Sequence, residues 1–141
     1  MITNKNDKLL QAFNLEPGES WLVPPHFIDH REYILAPTVK WGVKPESFSF
    51  RTELFGPLLS VACIENLEEG IKLVNGLDYG LTSGLQSLDE KEQKLWKNSV
   101  MAGNLYINRG ITGAIVNRQP FGGMKLSAFG GGIKAGGPNY C

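Results

Sequence analysis

The stretch from Leu58 to Asn108 constrains the fold most, because strand-like and helix-like segments alternate along it. Leu58–Ile64 is a nearly continuous apolar run of strand length, which is typical of a strand buried on both faces. Two further strands are predicted at Leu81–Ser87 and Leu105–Asn108, with a helix before each of them. This β-α-β-α-β order with short links predicts an α/β fold built on a parallel sheet with right-handed crossovers.

Both helices are predicted from capping pairs and from the spacing of apolar residues. The first begins after Asn66, which forms a capping-box-like pair with Glu69, and it ends at Gly76. Its apolar face carries Leu67, Ile71 and Val74. The second begins after Ser87, which is paired in the same way with Glu90. Its buried face is expected to carry Leu88, Leu95, Trp96 and Val100.

The segments on either side of this core are less regular. Prolines interrupt residues 1–57, which leaves only a short helix and short strands. These are Lys8–Phe13 for the helix, and Ser20–Val23, Tyr33–Leu35 and Thr38–Val43 for the strands. Residues 109–141 are rich in glycine and show no helical or strand period. We therefore divide the chain into an N-terminal extended segment (1–57), the β-α-β-α-β core (58–108), and a loop with a C-terminal arm (109–141).

Composition excludes several classes of partner. Lys plus Arg and Asp plus Glu number 14 each, so the net charge is near zero. The chain therefore lacks the excess of positive charge that is typical of proteins that bind nucleic acid or an anionic membrane. No apolar run approaches the ~20 residues of a transmembrane helix, and the N-terminus has no signal-peptide pattern, so we expect a cytoplasmic protein. His26 and His30 have no third ligand candidate close in sequence, so no metal site is expected.

No complete catalytic set is visible among the nucleophiles. Cys63 lies in the apolar run, where a thiol is usually an inert core residue, and Cys141 is the last residue of the chain.

Two other segments are better site candidates. Glu53 lies just ahead of the first core strand, at the rim where loops contact ligands, although an exposed glutamate beside a Gly-Pro turn is the simpler interpretation. The segment Asn108–Gly123 leaves the carboxyl end of the third strand, which is where open α/β sheets place their sites.

Four short segments of the chain, in this order, resemble motifs of the aldehyde dehydrogenase superfamily. They are Glu53–Pro57 (E-x-F-G-P), Tyr79–Leu85 (Y-G-L-T-S-G-L), Gly103–Asn108 (G-x-x-x-I-N) and Pro120–Gly123 (P-F-G-G). Thr112–Val116, Arg118–Gly123 and Lys134–Tyr140 further resemble the Δ1-pyrroline-5-carboxylate dehydrogenases, especially the dehydrogenase module of bifunctional proline-utilisation proteins. The fold implied is part of an aldehyde dehydrogenase catalytic domain.

The resemblance implies a function in proline catabolism and a set of site residues. The enzyme would be an NAD-dependent dehydrogenase that oxidises glutamate-γ-semialdehyde, formed from pyrroline-5-carboxylate, to glutamate. Glu53 would hold the nicotinamide ribose hydroxyls, and Phe55 would pack beside the nicotinamide. Gly113 and Ala114 would offer backbone N–H groups to the substrate carboxylate, and Phe121 would form a wall of the aliphatic slot. Residues 109–141 would then be the substrate anchor loop and the arm.

The resemblance also implies that the catalytic machinery lies elsewhere. The family's nucleophilic cysteine, its general-base glutamate and its dinucleotide-binding domain belong upstream of Met1, and neither Cys63 nor Cys141 matches the nucleophile's motif. We therefore expect no catalytic residue in this chain and no activity from it alone. The adenosine-ribose contacts also lie upstream, so the choice between NAD and NADP is not encoded in these residues.

Several alternatives remain open on the sequence. The chain could be a truncated form of the enzyme, a product of a split gene, or one subunit of a two-chain enzyme. Its partner would then be the upstream half of the enzyme or a second copy. The substrate could be another aldehyde. In a third interpretation, the chain is a non-catalytic interaction or assembly module, marked by exposed apolar patches.

Overall fold

The computed structural model of the chain describes residues 7–29, 34–115 and 118–129. The chain divides after Cys63 into two compact units. No helix in the described residues is long and apolar enough to span a membrane. The predicted strand at Tyr33–Leu35, the Lys134–Tyr140 motif, His30 and Cys141 lie partly or wholly outside the described residues.

The first unit is a three-stranded sheet with two short helices. The strands are β1 (Ser20–Val23), β2 (Thr38–Trp41) and β3 (Leu58–Val61), and the helices are α1 (Asp7–Gln11) and α2 (Phe48–Arg51). β1 pairs with β2 antiparallel, and β2 pairs with β3 parallel, so β2 is the central strand. The core of this unit consists of Leu9, Ala12, Leu35 and Leu54, against which Leu58 and three phenylalanines pack.

A buried ion pair lies beside this core. Lys40 of β2 places its Nζ 3.0 Å from Oε2 of Glu19, and the side chains are 1% and 0% exposed. The same ammonium donates to the Asn14 carbonyl at 2.8 Å and lies 5.3 Å from the centre of the Trp21 ring. Because a buried charge is tolerated only when it is paired and hydrogen-bonded, this cluster fixes β1, β2 and the turn before them in one arrangement.

The second unit packs two helices on parallel strands. Its elements are α3 (Leu67–Asn75), β4 (Tyr79–Gly80), β5 (Thr82–Leu85), α4 (Glu90–Ser99), β6 (Asn104–Ile107) and β7 (Met124–Lys125). β5 pairs with β6 parallel, and β4 pairs with β7 antiparallel. The core consists of Ile71, Trp96, Val100 and Ala102, with Leu67, Val74, Leu85, Leu105 and Ile107 packed against it. The predicted α/β class and the predicted order of the main elements are confirmed.

The start of α3 is as predicted. Asn66 is the N-cap, and its side chain accepts a hydrogen bond from the Glu69 N–H at 2.9 Å. The Glu69 carboxylate accepts in return from the N–H of Glu65, one residue before the cap. Gly76 is the C-cap with φ −78°, so the helix ends without the left-handed turn that the glycine suggested.

The start of α4 differs from the prediction. Its N-cap is Asp89, whose side chain accepts from the Lys91 N–H, and Ser87 instead accepts from the Asp89 N–H. Trp96 and Val100 are buried as predicted, but Leu88 is 94% exposed and Leu95 is 37% exposed. Leu88 precedes the helix, so it cannot belong to a helical face.

Predictions about the first core strand need three corrections. β3 ends at Val61, and Leu59 is 59% exposed, so the strand is not buried on both faces in this chain. Cys63 is exposed and lies beyond the strand, so the inference that its thiol is in the core was wrong. β3 pairs with β2 and not with β5 or β6, so the three predicted strands do not form one sheet in the described residues. An apolar run identifies a strand but not its partner or what covers it.

The structure forms two compact units that divide after Cys63. The segments predicted from the sequence, with divisions after residues 57 and 108, stay predictions. The segment 1–57 therefore shares a unit with β3, and its described residues include a core of their own.

Candidate functional site

Glu53 and Phe55 lie on the loop between α2 and β3, on either side of a buried leucine. Leu54 is 9% exposed and belongs to the core of the first unit. Because Leu54 points inward, its two neighbours point outward: Glu53 is exposed, and Phe55 is 82% exposed. Phe55 also has a backbone φ of 48°, a conformation that is uncommon for a residue with a side chain. A strained, exposed aromatic residue is more typical of a ligand contact than of a packing residue.

The two side chains share one cavity of the first unit. It measures about 360 Å3 and is lined by Ser49, Thr52, Glu53, Leu54, Phe55, Gly56, Leu58 and Ser60. Its lining combines a carboxylate, three hydroxyl side chains and an aromatic ring. The Ser49 hydroxyl is buried and has no hydrogen-bond partner among the described residues, while Ser60 donates to the Ser49 carbonyl. Glu53 and Phe55 therefore line the same cavity, and their predicted roles toward a cofactor stay predictions.

The predicted anchor loop begins at Asn108, directly after β6. Asn108 has φ 54°, and its amide side chain both accepts from the Ser87 N–H and donates to the Ser87 carbonyl. Arg109 lies 4.7 Å above the Tyr106 ring and donates to the carbonyls of Gly110 and Thr112. These contacts tie the first residues of the loop to the end of the sheet.

Gly113 and Ala114 follow these tethered residues. Gly113 has φ 85°, and a Cβ added to it would meet no atom within 4 Å, so the backbone here is open on one side. Neither its N–H nor that of Ala114 donates to an acceptor among the described residues. Two consecutive unpaired N–H groups beside an exposed glycine can bind an anion such as a carboxylate.

Phe121 begins a segment that packs against other residues of the second unit. Gly122 accepts from the Asn104 side chain at 2.9 Å, and a Cβ on Gly103 would overlap the Gly122 carbonyl oxygen. Further along, the Lys125 ammonium donates to three carbonyls at the end of α3, those of Val74, Asn75 and Leu77. Phe121 itself is half-buried.

A second cavity of about 510 Å3 lies along β6. It is lined by Gly103, Asn104, Leu105, Tyr106, Ile107, Arg109, Gln119 and Pro120, and Gln119 donates to the Tyr106 hydroxyl at 2.9 Å. Gly113, Ala114 and Phe121 are not among its lining residues. Arg109, Gln119 and Lys125 were not predicted from the sequence, although Arg109 directly follows a motif residue and Lys125 comes two residues after Pro120–Gly123.

The remaining ionisable groups of the described residues are considered for metal binding and for perturbed pKa values. No group of three or more His, Cys, Asp or Glu side chains in the described part of the chain could hold a metal ion. One carboxyl is clearly perturbed: burial by itself raises the pKa of Glu19, but the Glu16 N–H and the Lys40 ammonium outweigh this and hold the pKa below its ordinary value. Glu19 lies at the buried ion pair and outside both cavities.

Comparison with known proteins identifies the family. The model of the aldehyde dehydrogenase family matches residues 14–141, which is nearly the whole chain. The chain therefore belongs to the aldehyde dehydrogenase family.

Within that family, the chain is similar to 1-pyrroline-5-carboxylate dehydrogenases. It is 36% identical over 135 residues to the enzyme of Bacillus pumilus (strain SAFR-032), covering 95% of this chain and 26% of that protein. It is 37% identical over 112 residues to 1-pyrroline-5-carboxylate dehydrogenase 2 of Bacillus subtilis (strain 168), and the match covers 79% of this chain and 21% of that protein. The chain thus spans about a quarter of the length of such curated relatives.

Solved structures give the same result. Proline Utilization A (PutA) from Corynebacterium freiburgense is 49% identical with a TM-score of 0.93, covering 98% of this chain and 14% of that chain. A 1-pyrroline-5-carboxylate dehydrogenase from Thermus, solved with bound NAD, is 37% identical with a TM-score of 0.78, covering 86% of this chain and 24% of that chain.

Proposed function

We propose that this chain forms the C-terminal part of the catalytic domain of an NAD-dependent dehydrogenase that oxidises glutamate-γ-semialdehyde to glutamate. The observation that carries this proposal is the similarity along nearly the whole chain to 1-pyrroline-5-carboxylate dehydrogenases and to PutA. In this role, the chain contributes one side of the cofactor site and one end of the substrate site.

The first cavity fits the nicotinamide half of the cofactor. Glu53 is exposed, so its carboxylate can accept hydrogen bonds from the two ribose hydroxyls, and such charge-assisted bonds are strong. Phe55 is 82% exposed and offers a flat face against which a planar ring can pack. When bound, NAD would supply the hydride acceptor for aldehyde oxidation. Glu53 and Phe55 would act by orienting it.

The anchor loop fits the substrate carboxylate. The N–H groups of Gly113 and Ala114 donate to no acceptor in the described part of the chain, so they are available as donors, and the Arg109 tether limits the motion of the residues before them. Binding the carboxylate at a fixed place would hold the aldehyde carbon at a constant distance from it, which lowers the entropy cost of reaction. Phe121 would line the slot for the aliphatic part of the substrate.

The reaction also needs groups that we assign to the remainder of the enzyme. A cysteine thiolate would add to the aldehyde carbon to give a thiohemiacetal, and the loss of hydride from this adduct to the cofactor would leave a thioester. A glutamate would then activate the water that hydrolyses the thioester. We place both groups outside this chain, so the chain alone would not turn over substrate. Because Cys63 is exposed, its exclusion rests on the motif it lacks rather than on burial.

Substrate preference tests this proposal. A chimera in which this chain replaces the matching segment of the Bacillus pumilus relative should oxidise glutamate-γ-semialdehyde with a much lower KM than butyraldehyde. Butyraldehyde has the same straight carbon chain near the aldehyde but no carboxylate for the loop to bind. Equal KM values for the two aldehydes would instead identify the chain as part of an enzyme for another aldehyde.

A further inference from the structure

Tyr106 is a buried aromatic residue of the second unit, on strand β6. It is 6% exposed and pairs with Gly84 of the parallel strand β5. A buried side chain on a hydrogen-bonded strand keeps its position, because its packing and the strand ladder both restrain it. Its side chain also lines the second cavity, where it contacts two residues of the loop that follows β6.

The first contact joins the ring of Tyr106 to the beginning of the predicted anchor loop. The Arg109 guanidinium lies 4.7 Å from the centre of the ring, within the range of a cation–π interaction. The same guanidinium donates to the Gly110 carbonyl at 3.2 Å and to the Thr112 carbonyl at 3.4 Å. Thr112 directly precedes Gly113, so the residues proposed to bind the carboxylate begin next to a residue that is linked to the Tyr106 ring.

The second contact joins the hydroxyl of Tyr106 to the residues before Phe121. Gln119 is half-buried, and its side-chain amide donates to the hydroxyl at 2.9 Å. Only Pro120 separates Gln119 from Phe121, and the restricted φ of proline limits how far these two residues can move independently. The position of Phe121 therefore depends on that of Gln119 and, through it, on that of Tyr106.

Tyr106 thus connects the two parts of the proposed substrate site. Gly113 and Ala114 would bind the carboxylate, and Phe121 would line the aliphatic slot. Because both parts are linked to one buried side chain, Tyr106 restrains the distance between them. A constant distance between a carboxylate anchor and an apolar wall favours substrates with a particular number of carbons between the carboxylate and the aldehyde.

We propose that Tyr106 and Gln119 are positioning residues that select the chain length of a carboxylate-bearing aldehyde. This inference rests on the proposed function and extends it from the class of substrate to the residues that determine its length. In this role neither side chain touches the substrate, because both act through the loop. The preferred substrates have five carbons from the carboxylate to the aldehyde, as glutamate-γ-semialdehyde does.

Two aldehydes that differ by one methylene test the inference in the chimeric enzyme. Glutarate semialdehyde has the length of glutamate-γ-semialdehyde, and succinate semialdehyde is one methylene shorter. The unmodified chimera should favour the longer aldehyde by at least about tenfold in kcat/KM, which is within the range that one methylene contributes. Tyr106→Phe keeps the ring and removes the hydroxyl, and Gln119→Met removes the donor. Each should lower this ratio about fivefold, the equivalent of one neutral hydrogen bond.

A double variant and two controls show whether the bond itself is responsible. Both substitutions remove the same hydrogen bond, so Tyr106→Phe combined with Gln119→Met should lower the ratio no further than either alone. Tyr79→Phe is the matched control for the tyrosine, since Tyr79 lies on β4 and lines neither cavity. Gln11→Met, at an exposed glutamine of the first unit, is the control for the glutamine. Both controls should keep the ratio of the unmodified chimera.

Relaxation measurements on the chain itself give a readout that does not depend on turnover. In the 15N-labelled chain, the heteronuclear NOE of the Phe121 amide should fall in Tyr106→Phe and in Gln119→Met. The value for Ile71, in the core of the same unit, should stay the same. An unchanged value for Phe121 would overturn the inference, since the hydrogen bond would then not restrain this part of the loop.

The kinetic results separate this inference from the proposed function. If both substitutions lower kcat/KM for the two aldehydes in equal proportion, Tyr106 and Gln119 support the fold and do not select length. Additive effects of the two substitutions, or an unmodified chimera without a length preference, would also overturn the inference. A chimera that oxidises butyraldehyde as well as glutarate semialdehyde would contradict the proposed function. One that prefers the carboxylate-bearing aldehyde, with a length preference that neither substitution changes, would contradict this inference alone.

Discussion

Gly113 is the residue whose backbone conformation bears most directly on the proposed substrate site. Glycine adopts its φ of 85° readily, whereas a β-branched residue would be strained there. The strain is in the backbone alone, because an added Cβ would meet no atom within 4 Å. Gly113→Val should therefore shift the loop backbone and raise KM for glutamate-γ-semialdehyde at least about tenfold in the chimeric enzyme, which corresponds to about 1.4 kcal/mol of binding. KM for butyraldehyde should change little, because that aldehyde has no carboxylate.

Gly110→Val is the matched control for Gly113→Val. A Cβ on Gly110 also meets no atom within 4 Å, and its φ lies outside the left-handed region. The control should leave both KM values close to those of the unmodified chimera. If Gly113→Val behaves like Gly110→Val, the carboxylate is not bound at this loop.

Glu53 permits a corresponding test of the cofactor site. Glu53→Ala should raise KM for NAD by about tenfold or more, since hydrogen bonds to a charged group contribute about 1.5–3 kcal/mol each. KM for the aldehyde should be affected much less. Glu46→Ala removes another exposed carboxylate of the same unit and should leave KM for NAD unchanged. Equal effects of the two substitutions would rule out a specific role for Glu53.

Side-chain burial was the weakest part of the prediction at this scale. Cys63 and Leu59 were placed in the core because they belong to an apolar run, and both are exposed. An apolar residue tends to be buried, but the residues that cover it need not belong to the same chain. Glu53 and Phe55 are exposed on either side of buried Leu54, and their roles in the site stay predictions.

At the scale of elements, local signals were more reliable than long-range contacts, although the predicted Ser87 cap of α4 was wrong. The Asn66 cap could be predicted because cap and helix are adjacent in sequence. The contacts of Lys125 with the end of α3 join residues about fifty positions apart, and the pairing of β2 with β3 joins two predicted segments. Neither contact is marked in a single sequence by a regular spacing of residues or by a motif.

Lys125 gives a prediction at this scale. Its ammonium donates to the carbonyls of Val74, Asn75 and Leu77. These bonds give hydrogen-bond donors to carbonyls at the end of α3, and the positive charge interacts favourably with the negative end of the helix dipole. Lys125→Met should lower the free energy of unfolding of the second unit by about 1–3 kcal/mol in thermal or urea denaturation. Lys94→Met, an exposed lysine on α4, should change it by less than about 0.5 kcal/mol. Similar losses for both would show that the Lys125 contacts contribute nothing specific.

The ion pair of Glu19 and Lys40, which joins β1 to β2, gives a prediction about pH. The folded pKa of Glu19 lies below its ordinary value of 4.5, so the stabilisation from its ionised form is present above pH 4.5 and is lost as pH falls through the folded pKa. Glu19→Gln should cost about 3–5 kcal/mol at pH 7, because it leaves a buried ammonium without its carboxylate. The difference from the unmodified chain should shrink below pH 4.5. A difference that is constant with pH in urea denaturation would contradict this account.

At the scale of the whole molecule, the motifs in the sequence were sufficient to identify the family. They lie in the correct order on β3, β5, β6 and the loops beside them, and the family model covers residues 14–141. The division after Cys63 could not be predicted, because the core of the first unit is formed by residues that are scattered among prolines and short turns. The exposure of Leu59 on its sheet is explained if the chain completes a larger catalytic domain.

The most direct test of the central claim is NADH formation from pyrroline-5-carboxylate by two separately expressed polypeptides. One is this chain, and the other is the part of the Bacillus pumilus relative that precedes its matching segment. The account predicts no activity from either polypeptide alone and activity from the mixture, which Cys63→Ser should leave unchanged. NADH formation by this chain alone, abolished by Cys63→Ser, would contradict it, because the nucleophile would then lie on this chain.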